Sequence, residues 1–201
     1  MPDRASSSRA AKITRIIACA VFKPALESLG LQDTYPNLRI TYLPSHLHLK
    51  PPELENCLEK ALTSAREAGE WVICLYGQCF PEIDDFCQQR QVSKVAGQHC
   101  YEMLLGRERF QQLTDEVAGT YFVERDFLLN FEEYCVEPLE LKDEEMKRYC
   151  FGQYQRLLYV RQPSDPDLVP RAKELAEFLG LSMEVCDADY SHLEEILTAV
   201  L

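Results

Sequence analysis

Apolar residues recur along this chain in short continuous runs separated by helical stripes. Residues 13–22, ITRIIACAVF, form a near-unbroken apolar run, which predicts a strand buried on both faces, as in a parallel sheet. A short helical pattern over 23–29 follows, closed by Gly30. LRITYL, at 38–43, predicts a second strand, which leads into the loop PSHLHLK. Pro51 and Pro52 suit a helix start, and Leu54, Leu58, Ala61, Leu62 and Ala65 then share one helical face. WVICLY at 71–76 is a third strand, and Pro81 opens a helix with Ile83, Phe86 and Cys87 inward. Residues 92–96 give a weaker fourth strand.

The second half repeats the alternation with more helix. Tyr101, Leu104 and Leu105 mark a helix, and Phe110, Leu113 and Val117 continue a helical face after a break near Gly106. GTYFV at 119–123 is extended. Residues 126–154 are mostly helical, with Phe127, Leu128, Phe131, Met146 and Tyr149 as inward candidates. RLLYVR at 156–161 is a fifth strand and 183–185 a short sixth; helical stripes lie at 168–179 and 193–200. Strands alternating with helices predict an α/β fold. It has a mainly parallel sheet with helices on both faces, plus a helical insertion around residues 101–154. Residues 1–12 read as a disordered polar tail and 13–201 as a single α/β domain.

Charge and cysteine content narrow the function classes. The formal charge of −12 repels phosphate backbones and anionic lipid, so neither nucleic acid nor a membrane is an expected partner. No apolar run approaches the ~20 residues of a spanning helix. The nine cysteines are odd in number, and no secretory signal pattern precedes them. Free thiols in a reducing, cytoplasmic compartment are therefore expected.

Candidate chemistry follows from element order. Cys19 ends the first strand, His46 and His48 follow the second, Cys79 follows the third, and His99 and Cys100 follow the fourth. Ligands of open parallel sheets bind outside the carboxyl ends of strands, so thiols and imidazoles are delivered to one edge. Thiolate with imidazole suits zinc or an iron–sulfur cluster. No CxxC pair is present, so such a site would be assembled by folding. Cys57, Cys74, Cys87, Cys135, Cys150 and Cys186 lie in apolar stripes or strands and read as packing residues. Of His46 and His48, one is expected only to hydrogen-bond backbone. His99 is open to three roles: a ligand, a base that lowers the neighbouring thiol's pKa, or a residue beside a helix N-cap. At a helix N-terminus next to His99, Cys100 is expected to be the most thiolate-like cysteine. Gly77, Gly119, Thr120 and Tyr121 are candidate cofactor contacts, because glycine lets backbone approach a ligand. There is no GxGxxG, GxxxxGK[ST] or GxSxG motif.

The pieces IIACAVF, YLPSHLHLKPPEL, LYGQC, HCYEMLLG and GTYFV, in that order, resemble the family known as domain of unknown function sixteen-thirty-eight, from about residue 13 to the C-terminus. The chain departs from the family pattern at His99, where aspartate is common, and at Asp126-Phe127, where glycine–tryptophan is common. The resemblance implies an association with corrinoid-dependent methyltransferases and anaerobic one-carbon genes, with a corrinoid protein or methyltransferase as partner. The expected function is a metal- or iron–sulfur-cluster-binding accessory protein. Its sulfur ligands are Cys19, Cys79 and Cys100, with His48 or His99 completing the set. Two alternatives stand beside it. One is an enzyme of thiol or corrinoid methyl transfer with a zinc-bound or low-pKa cysteine. The other is a protein–protein adaptor whose cysteines are structural.

Overall fold

A computed structural model describes residues 12–201; the expected tail lies outside the described residues apart from Lys12. The first apolar run becomes strand β1 (Thr14–Cys19), and Ala20–Phe22 turn out of it as one 3-10 turn. Helices α1 (Lys23–Leu29) and α2 (Leu31–Thr34) lead to β2 (Leu38–Leu43). A 3-10 turn over Ser45–Leu49 precedes α3 (Pro51–Glu67), which buries Leu54, Leu58, Leu62 and Ala65 at helical spacing. Then come β3 (Trp71–Leu75), α4 (Ile83–Gln89) and β4 (Ser93–Lys94). These four strands form a parallel sheet in the order β2-β1-β3-β4, with Ile17 of β1 aligned between Thr41 and Cys74.

The second half forms its own parallel sheet, ordered β5-β6-β7, from β5 (Thr120–Val123), β6 (Arg156–Arg161) and β7 (Ser182–Asp187). A single continuous sheet does not form, because β4 is only two residues long and β5 pairs with β6 instead. The helical stretch between residues 101 and 154 is therefore divided by β5. Before it lie α5 (Cys100–Leu105) and α6 (Arg107–Glu116); after it lie α7 (Arg125–Phe131), one π-helical turn over Glu132–Val136, and α8 (Glu144–Phe151). Helices α9 (Val169–Leu179) and α10 (Ser191–Thr198) complete the α/β fold.

Strand β6 shows how the halves join. Leu157 and Tyr159 face one apolar cluster with α7 and α9 residues, whereas Leu158 and Val160 face the cluster that also holds β1, β3 and α3 side chains. This period-two division buries both faces of β6 and makes the second sheet a wall of the first half's core. Arg156 is 3% exposed; its guanidinium donates to the Leu113 carbonyl at 2.6 Å and to Thr120 Oγ1 at 2.9 Å, and pairs with Glu184 at 2.8 Å. It thereby ties α6, β5 and β7 together. Tyr149 is 82% exposed, in contrast to its expected inward place. Helix α8 buries Phe151, and two residues along a helix turn a side chain by about 200°, to the opposite face.

Candidate functional site

The carboxyl ends of the first sheet's strands meet β5 and α7 of the second half around a cavity of about 440 Å³. Cys19 reaches it from the end of β1, Ser45 and His48 from the turn after β2, Gly77 and Cys79 from the loop after β3, and His99 and Cys100 from the N-terminal end of α5. Thr120, Tyr121 and Phe122 of β5, then Glu124 and Phe127, close the other side. Phe22, Tyr101, Phe110 and Tyr154 complete the aromatic lining. The loops are held locally. A Cβ on Gly77 would stand 2.4 Å from the Gln98 carbonyl oxygen, which itself accepts from the Gln78 N–H at 2.7 Å. Only glycine lets the β3 and β4 loops approach this closely. Glu102 accepts the Gln98 N–H at 2.9 Å and steadies the same loop. Across the cavity, the Ser45 hydroxyl donates to Asp126, joining the β2 turn to α7.

Burial sets the electrostatics of the wall. It raises the Cys19, Cys79 and Cys100 thiols above their ordinary range. The negative charge each thiolate would carry beside the others raises Cys19 and Cys100 further. The low-pKa thiolate expected at Cys100 is therefore corrected: desolvation outweighs the helix terminus, and α5 is only six residues long. His99 is exposed and offers Cys100 no buried cation; its ring lies 5.4 Å from that of Phe110 and makes no side-chain cap. His48 is exposed, yet its ring stacks on Phe127 at 4.9 Å and desolvation lowers its pKa. Its Nδ1–H donates to the Ser45 carbonyl at 3.0 Å, leaving Nε2 with a free lone pair. Glu124 is 2% exposed, and desolvation pushes its carboxyl up to about 7. It accepts the Asp126 and Phe127 N–H groups at 2.8 and 3.0 Å as the N-cap of α7.

The structure brings Cys19, His48, Cys79, His99 and Cys100 to one cavity wall, together with Gly77, Thr120 and Tyr121. Gly119 is not on that wall; a Cβ there would stand 2.7 Å from the Gln153 carbonyl oxygen, so it serves backbone packing before β6. The Thr120 hydroxyl is engaged by Arg156 and by the Val117 carbonyl at 2.6 Å. His46 lies off the cavity, beside Tyr134 at 5.1 Å. Cys74 of β3 and Cys87 of α4 are both buried and lie off the cavity. Among the described residues, no group of three or more His, Cys, Asp or Glu side chains is arranged to hold a metal ion. The sequence reading missed Glu124, Phe110 and Phe122 as wall residues. A signal existed for Glu124: an acid directly between an extended run and a helix is placed to cap that helix.

The family described as "Protein of unknown function (DUF1638)" matches residues 42–197. No curated protein and no solved structure matches the chain. No helix among the described residues is long and apolar enough to cross a membrane.

Proposed function

The chain belongs to the DUF1638 family of proteins of unknown function, and we propose that it binds a small, largely apolar molecule in the cavity between its two sheets. The observation that carries this reading is the convergence of side chains from separate strand ends on one wall. A volume of about 440 Å³ falls within the range of small-molecule sites. Aromatic and aliphatic carbon supplies most of the contact, while the neutral thiols, the His48 lone pair and the Glu124 carboxyl orient the ligand. His48 Nε2 is suited to take a proton and Glu124 to hold or release one near neutral pH. A ligand-observed NMR fragment screen tests the site. Bound fragments should protect Cys79 and Cys100 from alkylation, and Cys79→Phe, which fills the wall, should abolish both effects while leaving the circular dichroism spectrum intact. Fragments that bind without protecting either thiol would place the ligand elsewhere.

A second reading rests on the three thiols: a soft metal ion or iron–sulfur cluster held by Cys19, Cys79 and Cys100, with His48 Nε2. Its support is the hydrogen bond at His48 Nδ1, the arrangement that orients metal-binding imidazoles. It requires the thiols to rotate together and lose their protons on loading, since they are not gathered in the described structure. Cobalt titration of anaerobically purified protein should then give thiolate charge-transfer absorption that Cys79→Ser removes. A protein that stays colourless excludes this reading. A place in corrinoid-linked one-carbon metabolism, whether as accessory protein or methyl-transfer enzyme, rests on the resemblance alone.

A further inference from the structure

The cavity wall is unusual in its charges. Among the described residues, no lysine or arginine lines it. A phosphate or carboxylate ligand would therefore meet no fixed positive charge there, only the imidazoles of His48 and His99, and its desolvation would be costly. Among the described residues, Glu124 is the one carboxyl on the wall. It receives two backbone N–H bonds, and among the described residues no lysine, arginine or histidine forms an ion pair with it. Neighbouring Arg125 instead turns to Asp165, at 3.6 Å. Buried carboxyls are ordinarily paired. At the wall, Glu124 thus has its hydrogen bonds met by the α7 backbone, and what it lacks when ionised is a counter-charge.

Seven phenylalanine and tyrosine rings line the same cavity. Some are locked against one another: Phe122 lies 5.1 Å from Phe110 and 5.5 Å from Tyr101, and Tyr121 lies 5.2 Å from Tyr154. Aromatic faces carry a negative quadrupole that attracts cations, more strongly as water is excluded. A primary ammonium needs three acceptors at once, and on this wall the Ser45 and Thr120 hydroxyls and both Glu124 oxygens already carry hydrogen bonds, whereas a methylated ammonium spreads its charge over carbon and needs few. The protein's charge of −12 also raises the local concentration of cations.

We propose that the ligand of this cavity is a cation of the methylated-ammonium class, seated against Tyr101, Phe110, Phe122 and Phe127 with Glu124 as its counter-charge. The inference rests on the reading of the cavity as a small-molecule site and adds the chemical class of the occupant. The three thiols, kept neutral by burial, present polarizable sulfur to such a cation.

Calorimetric titration with choline and with the neutral alcohol in which carbon replaces the choline nitrogen isolates the charge, because the two probes share one shape. Choline should bind the full-length protein at least roughly tenfold more tightly. Glu124→Gln, which keeps shape and one capping oxygen, should bring the two affinities together. Phe122→Leu should weaken choline more than the alcohol, with folding checked by circular dichroism for both variants. Equal or tighter binding of the alcohol overturns the cation assignment and leaves the cavity as a site for neutral molecules. Failure of both probes, while neutral fragments still bind and protect the thiols, also overturns it. Failure of every probe and fragment removes this inference and the small-molecule reading together.

Discussion

Glu124 is the residue at which burial and chemistry meet most directly. Its carboxyl stands near 7 in the folded protein against an ordinary value of 4.5, and desolvation is the main cause. Between those two values the folded protein keeps a proton that the unfolded chain has released. Stability contributed by this group is therefore present at low pH, declines as pH rises through the window, and levels off above about 7. Glu124→Gln removes that dependence. The stability of the variant relative to the wild type should rise by on the order of 3 kcal/mol from about pH 5 to about pH 8. Urea denaturation at the two pH values measures it, and a difference that does not change with pH would mean that Glu124 is ionised throughout. Gly77 offers a steric counterpart. With 2.4 Å between a new Cβ and the Gln98 carbonyl oxygen, Gly77→Ala must push apart the loops that carry Cys79 and Cys100. A loss of about 1–3 kcal/mol is expected, together with faster alkylation of both thiols. Unchanged stability and reactivity would show that these loops are already loose.

At the scale of elements, Arg156 decides how the α5–α6 pair sits on the second sheet. Its donors reach Leu113 at the end of α6's apolar face, Thr120 at the start of β5 and Glu184 on β7. Truncation leaves the Leu113 carbonyl and the Thr120 hydroxyl short of a buried donor. Arg156→Ala should cost about 3 kcal/mol, because bonds from a charged donor inside the protein are among the stronger ones. Guanidinium denaturation checks this, and a cost under about 0.5 kcal/mol, the range of surface positions, would assign the tie to apolar packing instead. The elements themselves were largely readable beforehand. Helix α3 announced itself through Pro51, Pro52 and the spacing of Leu54, Leu58 and Leu62, and β1 through the run around Ile16 and Ile17, both set by neighbours in sequence. Tyr149 lies outward because α8 is short, eight residues of which half are charged. A stripe in so short a helix does not define which side meets the core.

For the whole molecule, the shared apolar cluster makes a specific demand. Residues of β1, β3, α3, β6 and α10 pack in one core, so the two sheets should open together. Native-state hydrogen exchange should report the same opening free energy for the central amides of β1 and β6. Opening of β6 well below that of β1 would show two units that unfold separately. The same arrangement creates the cavity, whose floor comes from the first sheet and whose far wall comes from β5 and α7. By itself the sequence determined the alternation of strands and helices, the parallel class, and the placing of Cys19, His48, Cys79 and Cys100 after successive strands. Periodicity, caps and chain order are local properties, and they survive without knowledge of distant contacts. Only the tertiary structure decided that β5 leaves the first sheet for β6, and that Glu124, Phe110 and Phe122 complete the wall. It alone also decided that the thiols are held neutral. Strand pairing, enclosure and desolvation depend on which residues far apart in the chain come to share one interior, and no local pattern encodes that.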